Sequence, residues 1–406
     1  MNEFFLIILF SIIGSLIGII TGLIPGLHTN NVAMLLFALS STFSLYACIL
    51  ITSAAISHTF LDIIPSTFIG APEEDTALVV LPAHSMLLEG RGYEVICISA
   101  ISSLLSILFC FLMLFPFKLI LGKPFYFYNI LREIFPWILI CISLIVVFTN
   151  EHIIKALLIY FLSGIFGFAI IDMPCSFLMK SSSIFPALAG MFGVAALLHS
   201  QKRFIPEQLV EEKKIKVKNL DVISGSIAGS MVSVLPGVST AIATTIALAM
   251  RKERRKENTI AILSATNTST NFFVLLSLFI ILKARSGFAI VIKEGMHIQA
   301  WNDILMPRFL CLLLIAIIIA SIVSYFSTLF IGKFTSKNIS KIPYAILLKI
   351  SLIVIILLVF LFNGLIGLLI LLTSSCIGIA CLKMKVKRSV CMGVLLLPLI
   401  VKYFLY

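Results

Sequence analysis

SIIGSLIGIITGLIPGLHT, residues 11–29, occurs a second time in this chain as VISGSIAGSMVSVLPGVST, residues 222–240. Identities fall at a constant spacing of 211 positions. They pair Gly14 with Gly225, Ser15 with Ser226, Gly18 with Gly229, Pro25 with Pro236, Gly26 with Gly237, and Thr29 with Thr240. The chain is therefore predicted to contain two homologous halves, each beginning with an apolar segment that Pro-Gly interrupts.

The composition predicts a membrane protein. Of the 406 residues, 60% are hydrophobic and 12% are charged, which excludes a soluble globular protein because such a protein needs a polar shell. Apolar runs of about 17–25 residues recur, the length that crosses a hydrocarbon core. We expect a multi-pass protein of a prokaryotic cell membrane, with its first segment retained because it lacks a basic n-region. The nine Cys are scattered without a CxxC motif, so neither a disulfide framework nor a zinc site is indicated.

Charge placement predicts the topology. Lys and Arg mark cytoplasmic loops, and they cluster in the linker near residue 210 and in RKERRK, residues 251–256. Only residues 221–250 lie between these two clusters. A hairpin that enters the membrane, breaks at Pro236-Gly237 and returns keeps both clusters inside, with arms of about 14 residues, or about 21 Å of helix. The competing model makes each Pro-Gly segment a broken but complete span.

The predicted fold is all-α, with two inverted-topology repeats. Each repeat has a Pro-Gly-broken re-entrant hairpin and about five transmembrane helices. In the second half we place crossings near 259–282, 309–331, 344–362, 364–382 and 389–405. An odd number of crossings inverts the two halves, in agreement with the absence of Lys and Arg before Arg91. The domains are residues 1–200, the first repeat, 201–220, a charged cytoplasmic linker, and 221–406, the second repeat.

The interrupted segments are predicted to bind substrate. A Pro-Gly break frees backbone N–H and C=O groups that lipid cannot satisfy, and the next helix start favours an anion. Short polar residues follow both breaks. The predicted substrate-binding residues are Pro25, Gly26, His28, Thr29, Asn30, Asn31, Pro236, Gly237, Ser239 and Thr240. A purely structural kink is the alternative, and the repeat of the motif argues against it.

A second polar stretch recurs at the same spacing, SAAISHTFLD at 53–62 and SATNTSTNFF at 264–273. Asn267 and Asn271 lie four residues apart and share a helix face, as do His58 and Asp62. Because ionisable residues inside a membrane are functional candidates, we predict that these four residues couple transport to an ion, Na⁺ or H⁺. A buried His–Asp pair without a ligand is the alternative. No third ligand supports a zinc site, and no other cofactor is expected.

Two loops of opposite charge complete the pattern. Residues 70–94 are acidic through Glu73, Glu74 and Asp75, and residues 281–289 are basic through Lys283 and Arg285. They are either gates for ions of opposite sign or merely solvated loops. The loop at 116–133 is an exception to the topology, because Lys118, Lys123 and Arg132 fall outside.

These stretches resemble the large membrane subunit of the tripartite tricarboxylate transporter family, the TctA family. The resemblance is carried by GLIPGL, SVLPGV, GAPEEDTALVVLPAHSMLLEGRG, SATNTSTNFF, FAIIDMP, ALAGMFGVAALL and GIACLKMKVKRSVCMGVLLLPLI, in this order. It implies a permease for citrate-like carboxylates that works with a small membrane subunit and an extracytoplasmic binding protein. Where the family has further Pro-Gly pairs, this chain reads APE and KAR, which resembles the family's divergent, often archaeal, branch.

The predicted function is secondary active transport of a small organic anion, a carboxylate, coupled to a cation gradient. The alternatives are a membrane-embedded enzyme acting on a lipid-linked substrate and an exporter of the same fold. No catalytic residue is assigned, and no nucleic-acid partner is expected, because the basic clusters are short loops between spans. Gly14, Gly18, Gly225 and Gly229 are predicted to allow close helix packing.

Thiol labelling tests the predicted topology. In a chain whose native Cys are replaced by Ser, a membrane-impermeant maleimide should label Asn2→Cys from outside intact cells and Arg251→Cys only after lysis. Labelling of Arg251→Cys in intact cells would instead support the broken but complete span, since that model moves residue 251 to the outer side.

Overall fold

The computed structural model describes residues 3–25, 27, 33, 44–71, 75–171, 173, 183–199, 206–210, 215–235, 240–249, 255–341 and 344–405. Every regular element in these ranges is a helix. The first half contains α1 (Glu3–Leu23), α2 (Leu45–Leu61), α3 (Ile63–Phe68), α4 (Val80–Leu87), α5 (Gly92–Leu112), α6 (Leu114–Leu121), α7 (Phe127–Phe148), α8 (Ile153–Ile170), α9 (Ile184–Leu188), a π-helical segment (Ala189–Val194) and α10 (Ala195–His199). The second half contains α11 (Asn219–Ser233), α12 (Thr240–Ala249), α13 (Lys256–Ile280), α14 (Gly287–Gly295), α15 (Arg308–Ile339), α16 (Tyr344–Lys383), a 3₁₀ turn (Arg388–Met392) and α17 (Gly393–Leu405).

Eight helices among the described residues are long and apolar enough to cross a membrane. This confirms the predicted all-α polytopic membrane protein. The second Pro-Gly segment is flanked by two short helices in contact, α11 with 15 residues and α12 with 10. In contrast, α1 has 21 residues, more than the predicted arm, and it is one of the eight candidate spans. The inverted arrangement and the number of crossings stay predictions.

The helix boundaries follow local sequence. The long helix α16 is interrupted at Gly364, whose φ of 63° lies in the left-handed region that favours glycine. The interruption falls at the first residue of the predicted crossing 364–382. The helix α5 ends at Leu112, four residues before Pro116, whose ring obstructs continuation of the helix. The short helix α6 then begins at Leu114 and contains Pro116 in its first turn.

The polar stretches lie at the centre of the molecule. In the apolar window of the span that contains α2, 89% of the residues are buried, and in that of α13, 94% are buried, against 33–61% for the other six spans. Many hydroxyls on these helices bond backward along their own helix, for example Thr266 and Thr270 to the carbonyls of Ile262 and Thr266 at 2.7 Å. The two most polar spans are therefore surrounded by protein instead of lipid.

The two halves exchange their supporting helices. The helix α5 packs against α11 and α13 of the second half, and α15 packs against α1 and α2 of the first. The helices α5 and α15 occupy corresponding places in their halves. Each of them packs against helices of the other half. The two helices also meet each other, where a methyl at Gly332 would lie 2.5 Å from Ile96 Cγ2.

Glycines permit reciprocal backbone contacts between the halves. A methyl at Gly393 would lie 2.5 Å from the carbonyl oxygen of Tyr160, and one at Gly190 would lie 2.7 Å from that of Leu371. Tyr160 and Leu371 are 211 residues apart, the spacing of the sequence repeat. In a second such pair, Gly167 meets the carbonyl of Val394 and Gly378 that of Met191. These matched contacts support two structurally equivalent halves.

The predicted glycine packing faces are confirmed. In the first half, Gly14 and Gly18 of α1 meet the carbonyls of Leu50 and Ala54 on α2. In the second half, a methyl at Gly225 would lie 2.5 Å from the carbonyl oxygen of Ile262, and one at Gly229 would lie 2.9 Å from that of Thr266. Both Pro-Gly segments thus begin with a helix pressed against the polar span of its own half.

Contacts sort the loops into two groups. One group joins Glu3 to Arg308 and Lys118 to Asp303. The other joins Gly90 to Leu209, Glu89 to Lys256, and Lys387 to Thr149 and Asn150. The first group contains the loops that charge placement assigns to the outer side, and the second contains those assigned to the cytoplasm.

The backbone contacts predict that added methyl groups destabilise the fold. Gly167→Ala and Gly378→Ala should each lower stability by about 1–3 kcal/mol, because the new Cβ overlaps a carbonyl of the other half. The measurement is the apparent melting temperature in detergent.

Gly122→Ala is the matched control. Its new methyl would lie 3.0 Å from the nearest atom, the carbonyl oxygen of Lys118, at the end of a short helix. Equal melting temperatures for all three variants would contradict the tight inter-half contacts.

Candidate functional site

Most of the predicted substrate-binding residues lie outside the described residues. These are Gly26, His28, Thr29, Asn30, Asn31, Pro236, Gly237 and Ser239. The acidic residues Glu73 and Glu74 and much of the RKERRK cluster also lie outside them. Their roles therefore stay predictions.

The two described members of that set lie at helix ends. Pro25 is buried two residues after α1 ends. Thr240 is the first residue of α12 and is buried. A helix start presents unpaired N–H groups and a partial positive charge, so the position of Thr240 suits an anion.

The polar side chains of α2 and α13 meet in the interior. Asn267 Nδ2 donates to Asp62 Oδ2 at 2.6 Å, and both side chains are buried. The hydroxyls of Thr59 and Thr268 lie 3.2 Å apart, and Asn271 Nδ2 donates to the carbonyl of Ala55 at 3.3 Å. Three of the predicted ion-coupling residues thus take part in one junction between the two halves.

The order of these bonds gives the direction of the helices. From Ala55 through Thr59 to Asp62, the partners on α13 descend from Asn271 through Thr268 to Asn267. The two helices therefore cross antiparallel. Since they are the corresponding spans of the two repeats, this crossing supports a two-fold relation between the halves.

His58, the fourth predicted ion-coupling residue, points to the first Pro-Gly segment. Its Nδ1 lies 3.1 Å from Thr21 Oγ1 on α1. On either side of the junction, serine pairs tie the exchanged helices to it, with Ser324 bonded to Ser57 at 2.6 Å and Ser264 to Ser99 at 2.8 Å. Each central helix is therefore fixed both to its own half and to the opposite one.

A basic cavity of about 460 Å³ lies beside the end of α11. Lys283 and Arg285, predicted as a gate or a solvated loop, line this cavity together with Arg132 from α7. Lys293 from α14 and Lys402 from α17 add two more cations. Arg285 also donates to the carbonyl of Val232 at the end of α11. The exceptional cation Arg132 is thus part of a cluster instead of an isolated exception.

An ion cluster joins the halves at the predicted cytoplasmic side. Arg91, which precedes α5, donates to Glu94 at 2.8 Å and to Glu257 of α13. The hydrogen bond from Lys256 lowers the pKa of the Glu89 carboxyl, and the hydrogen bond to Glu94 raises the pKa of the Arg91 guanidinium. The cluster is exposed enough for solvent to weaken it, so its clearest effect is to orient α5 against α13.

The sequence did not indicate which residues meet at the junction of α2 with α13 or in the basic cavity. The repeat places Asp62 and Asn267 in corresponding stretches, 53–62 and 264–273, but does not indicate that they contact each other. In the sequence, Arg132 is far from Lys283 and Arg285, and the predicted topology links the three residues only by placing them all on the outer side of the membrane. Within the described residues, no group of three His, Cys, Asp or Glu side chains is placed to hold a metal ion.

The fold and the junction define a multi-pass membrane protein whose polar spans meet inside it. The family model described as "Tripartite tricarboxylate transporter TctA family" matches residues 8–393. An uncharacterized protein of Methanocaldococcus jannaschii is 34% identical over 410 residues, covering 98% of this chain and 99% of that protein. No solved structure matches.

The chain therefore belongs to the tripartite tricarboxylate transporter TctA family, and it is a transporter component of the cell membrane. The predicted family resemblance is confirmed, and the archaeal relative fits the divergent branch. Since the family is one of transporters, it gives no support to the enzyme alternative.

A residue exchange tests the junction. Asp62→Asn removes the charge that Asn267 contacts, and Asn267→Asp places two carboxylates at the 2.6 Å contact. Each single variant should therefore lose stability. The double variant Asp62→Asn with Asn267→Asp restores an amide–carboxylate pair and should recover about 1–3 kcal/mol of coupling. The measurement is melting temperature in detergent. A double variant no more stable than the sum of the singles would show that the two side chains do not interact.

Proposed function

We propose that this chain is the permease itself, a secondary active transporter that moves a small organic anion, a carboxylate, under a cation gradient. The observation that carries the proposal is the Asp62–Asn267 contact between corresponding, antiparallel spans. A buried acidic group is expensive inside a membrane protein and marks an ion or substrate path. A crossing between two similar halves provides a point that either side of the membrane can reach in turn.

The anion would bind at the two Pro-Gly segments. Thr29, Asn30 and Asn31 after the first break, and Ser239 and Thr240 after the second, supply hydroxyl and amide donors. The start of α12 at Thr240 and the contact of His58 with Thr21 on α1 support this arrangement. A carboxylate suits such a site because helix N-termini stabilise negative charge.

The junction would couple transport to the cation. Asp62 and His58 are titratable and serve H⁺ coupling, whereas oxygen atoms of Asp62, Asn267 and Asn271 suit Na⁺, which prefers hard oxygen ligands. Both versions predict that transport depends on Asp62, whether the driving gradient is one of Na⁺ or of H⁺. A small membrane subunit and an extracytoplasmic binding protein are the proposed partners, and we propose no enzymatic activity.

Uptake into proteoliposomes tests the proposal. A panel of carboxylates is presented under an imposed Na⁺ or H⁺ gradient, and wild type should accumulate at least one of them. Asn267→Ala should lower uptake about tenfold or more, because it removes a hydrogen bond to a buried carboxylate. Thr29→Val should raise the apparent KM for the anion.

Asn338→Ala is the matched control, since it removes an exposed amide at the end of α15. Wild type that moves no carboxylate under any gradient would contradict the transport proposal. Unchanged KM in Thr29→Val would remove that residue from the site, and substrate turnover by the detergent-solubilised protein would favour an enzyme.

A further inference from the structure

The basic cavity is built to hold a negative group. Its five cationic side chains come from four separate segments, and none of the described residues that line it is acidic. Lys283 lies 4.3 Å from the ring centre of Tyr128 and donates to its hydroxyl at 3.1 Å. Like charges gathered around one space repel one another. An anion in the cavity would relieve that repulsion.

A second, apolar cavity begins where the basic one ends. It has about 290 Å³, and Val234 at the end of α11 lines both. Its lining combines aliphatic side chains with four phenylalanines, Phe109, Phe117, Phe127 and Phe273, and Ser230 is the one polar side chain among the described lining residues. Water gains little in such a space, whereas hydrocarbon fills it favourably.

The first two turns of α7 join the two cavities. Phe127 and Leu131 line the apolar cavity, and Tyr128 and Arg132 line the basic one. Residues four apart share a helix face, so one helix presents an apolar stripe beside a basic stripe. Any molecule that fills both cavities must carry a charged end next to a hydrocarbon end.

The apolar cavity opens to the surface that lipid covers. Ile120, Phe127 and Ile227 on its rim are 46%, 37% and 39% exposed. Exposed apolar side chains of this kind on the wall of a membrane protein contact acyl chains. A chain can therefore enter the cavity sideways from the bilayer.

We propose that the two cavities together bind an anionic phospholipid of the surrounding bilayer, with the phosphate among the cations and one acyl chain in the apolar cavity. A small hydrophilic carboxylate would fill only the basic part and leave the phenylalanine-lined part empty. A zwitterionic lipid would fill the apolar part but would add the cation of its own headgroup to the five cations of the cavity. This lipid site is separate from the anion site at the Pro-Gly segments.

The bound lipid would contact the end of α11, just before the second Pro-Gly pair in sequence. Val234 lies two residues before Pro236, and Arg285 links the basic cavity to the carbonyl of Val232. A phosphate that draws on Arg285 competes with that carbonyl. The lipid is thus positioned to alter the conformation at the end of α11, shortly before Pro236 in sequence.

Lipid retention tests this proposal. The full-length protein is reconstituted in phosphatidylcholine nanodiscs with rising fractions of phosphatidylglycerol, and tightly bound phosphatidylglycerol is counted by native mass spectrometry. Arg132→Gln with Lys402→Gln removes two exposed cations of the cavity and should weaken binding on the order of thirtyfold. Lys337→Gln with Lys383→Gln makes the same charge change at exposed positions away from the cavity and should leave binding unchanged.

A second arm tests the apolar part and separates a lipid from a soluble anion. Ser230→Trp fills the apolar cavity while all five cations remain, and it too should weaken phosphatidylglycerol binding at least tenfold. Glycerol 3-phosphate, which has the charge without the chain, should compete poorly. Full retention of phosphatidylglycerol by either cavity variant, Arg132→Gln with Lys402→Gln or Ser230→Trp, would overturn the proposal. Displacement of the lipid by glycerol 3-phosphate at an equal concentration would overturn it as well. Neither outcome depends on transport, so the proposed function is judged separately.

Discussion

Inside a bilayer, every polar group must find its partner within the protein, and this constraint places α2 and α13 against each other. Lipid offers no hydrogen bonds, so the two spans that carry Asp62, Asn267 and their neighbouring hydroxyls are the most deeply buried ones. The remaining spans form a shell around them. Because Thr59, Asp62 and Asn267 find partners on the opposite half, the same constraint that buries these helices also joins the two repeats.

The glycines make that joining close. Backbones that meet at Gly393 and Tyr160, or at Gly378 and Met191, leave no space for even a methyl group. Without a hydrophobic force between helices in lipid, such close packing and the hydroxyl bonds beside it provide the attraction. The contacts of α8 with α17 and of the π-helical segment with α16 therefore rest on small residues at a few positions instead of on large apolar surfaces.

Local features of the fold could be predicted from the sequence because they depend on nearby residues. The interruption at Gly364 coincides with the start of the predicted crossing 364–382, and the predicted crossings at 259–282 and 309–331 correspond to α13 and α15. The length of α1 was predicted less well, since its apolar run gives no signal for where it ends before Pro25. Residues 211 positions apart, such as Gly14 and Gly225, lie on helices that each pack against the polar span of their own half.

Contacts between distant segments could not be predicted in the same way. The spacing groups His58 with Asp62, but it does not indicate that His58 lies against Thr21 of α1 or that Asp62 accepts a hydrogen bond from Asn267 of α13. The spacing of residues on a helix states which side chains share a face but not which helix that face meets. Arg132 illustrates the same limit, because only the assembled fold places it beside Lys402 and Arg285.

The packing of α8 and the π-helical segment against the second half has a consequence for biosynthesis. As the ribosome releases the first half into the membrane, α8 has no α17 to receive it, and the π-helical segment must wait for α16. Tight packing of these two elements is thus postponed until nearly all 406 residues have been made. During that interval α8 and the π-helical segment lack their partners in the membrane, which makes them dependent on insertion machinery and exposed to membrane proteases.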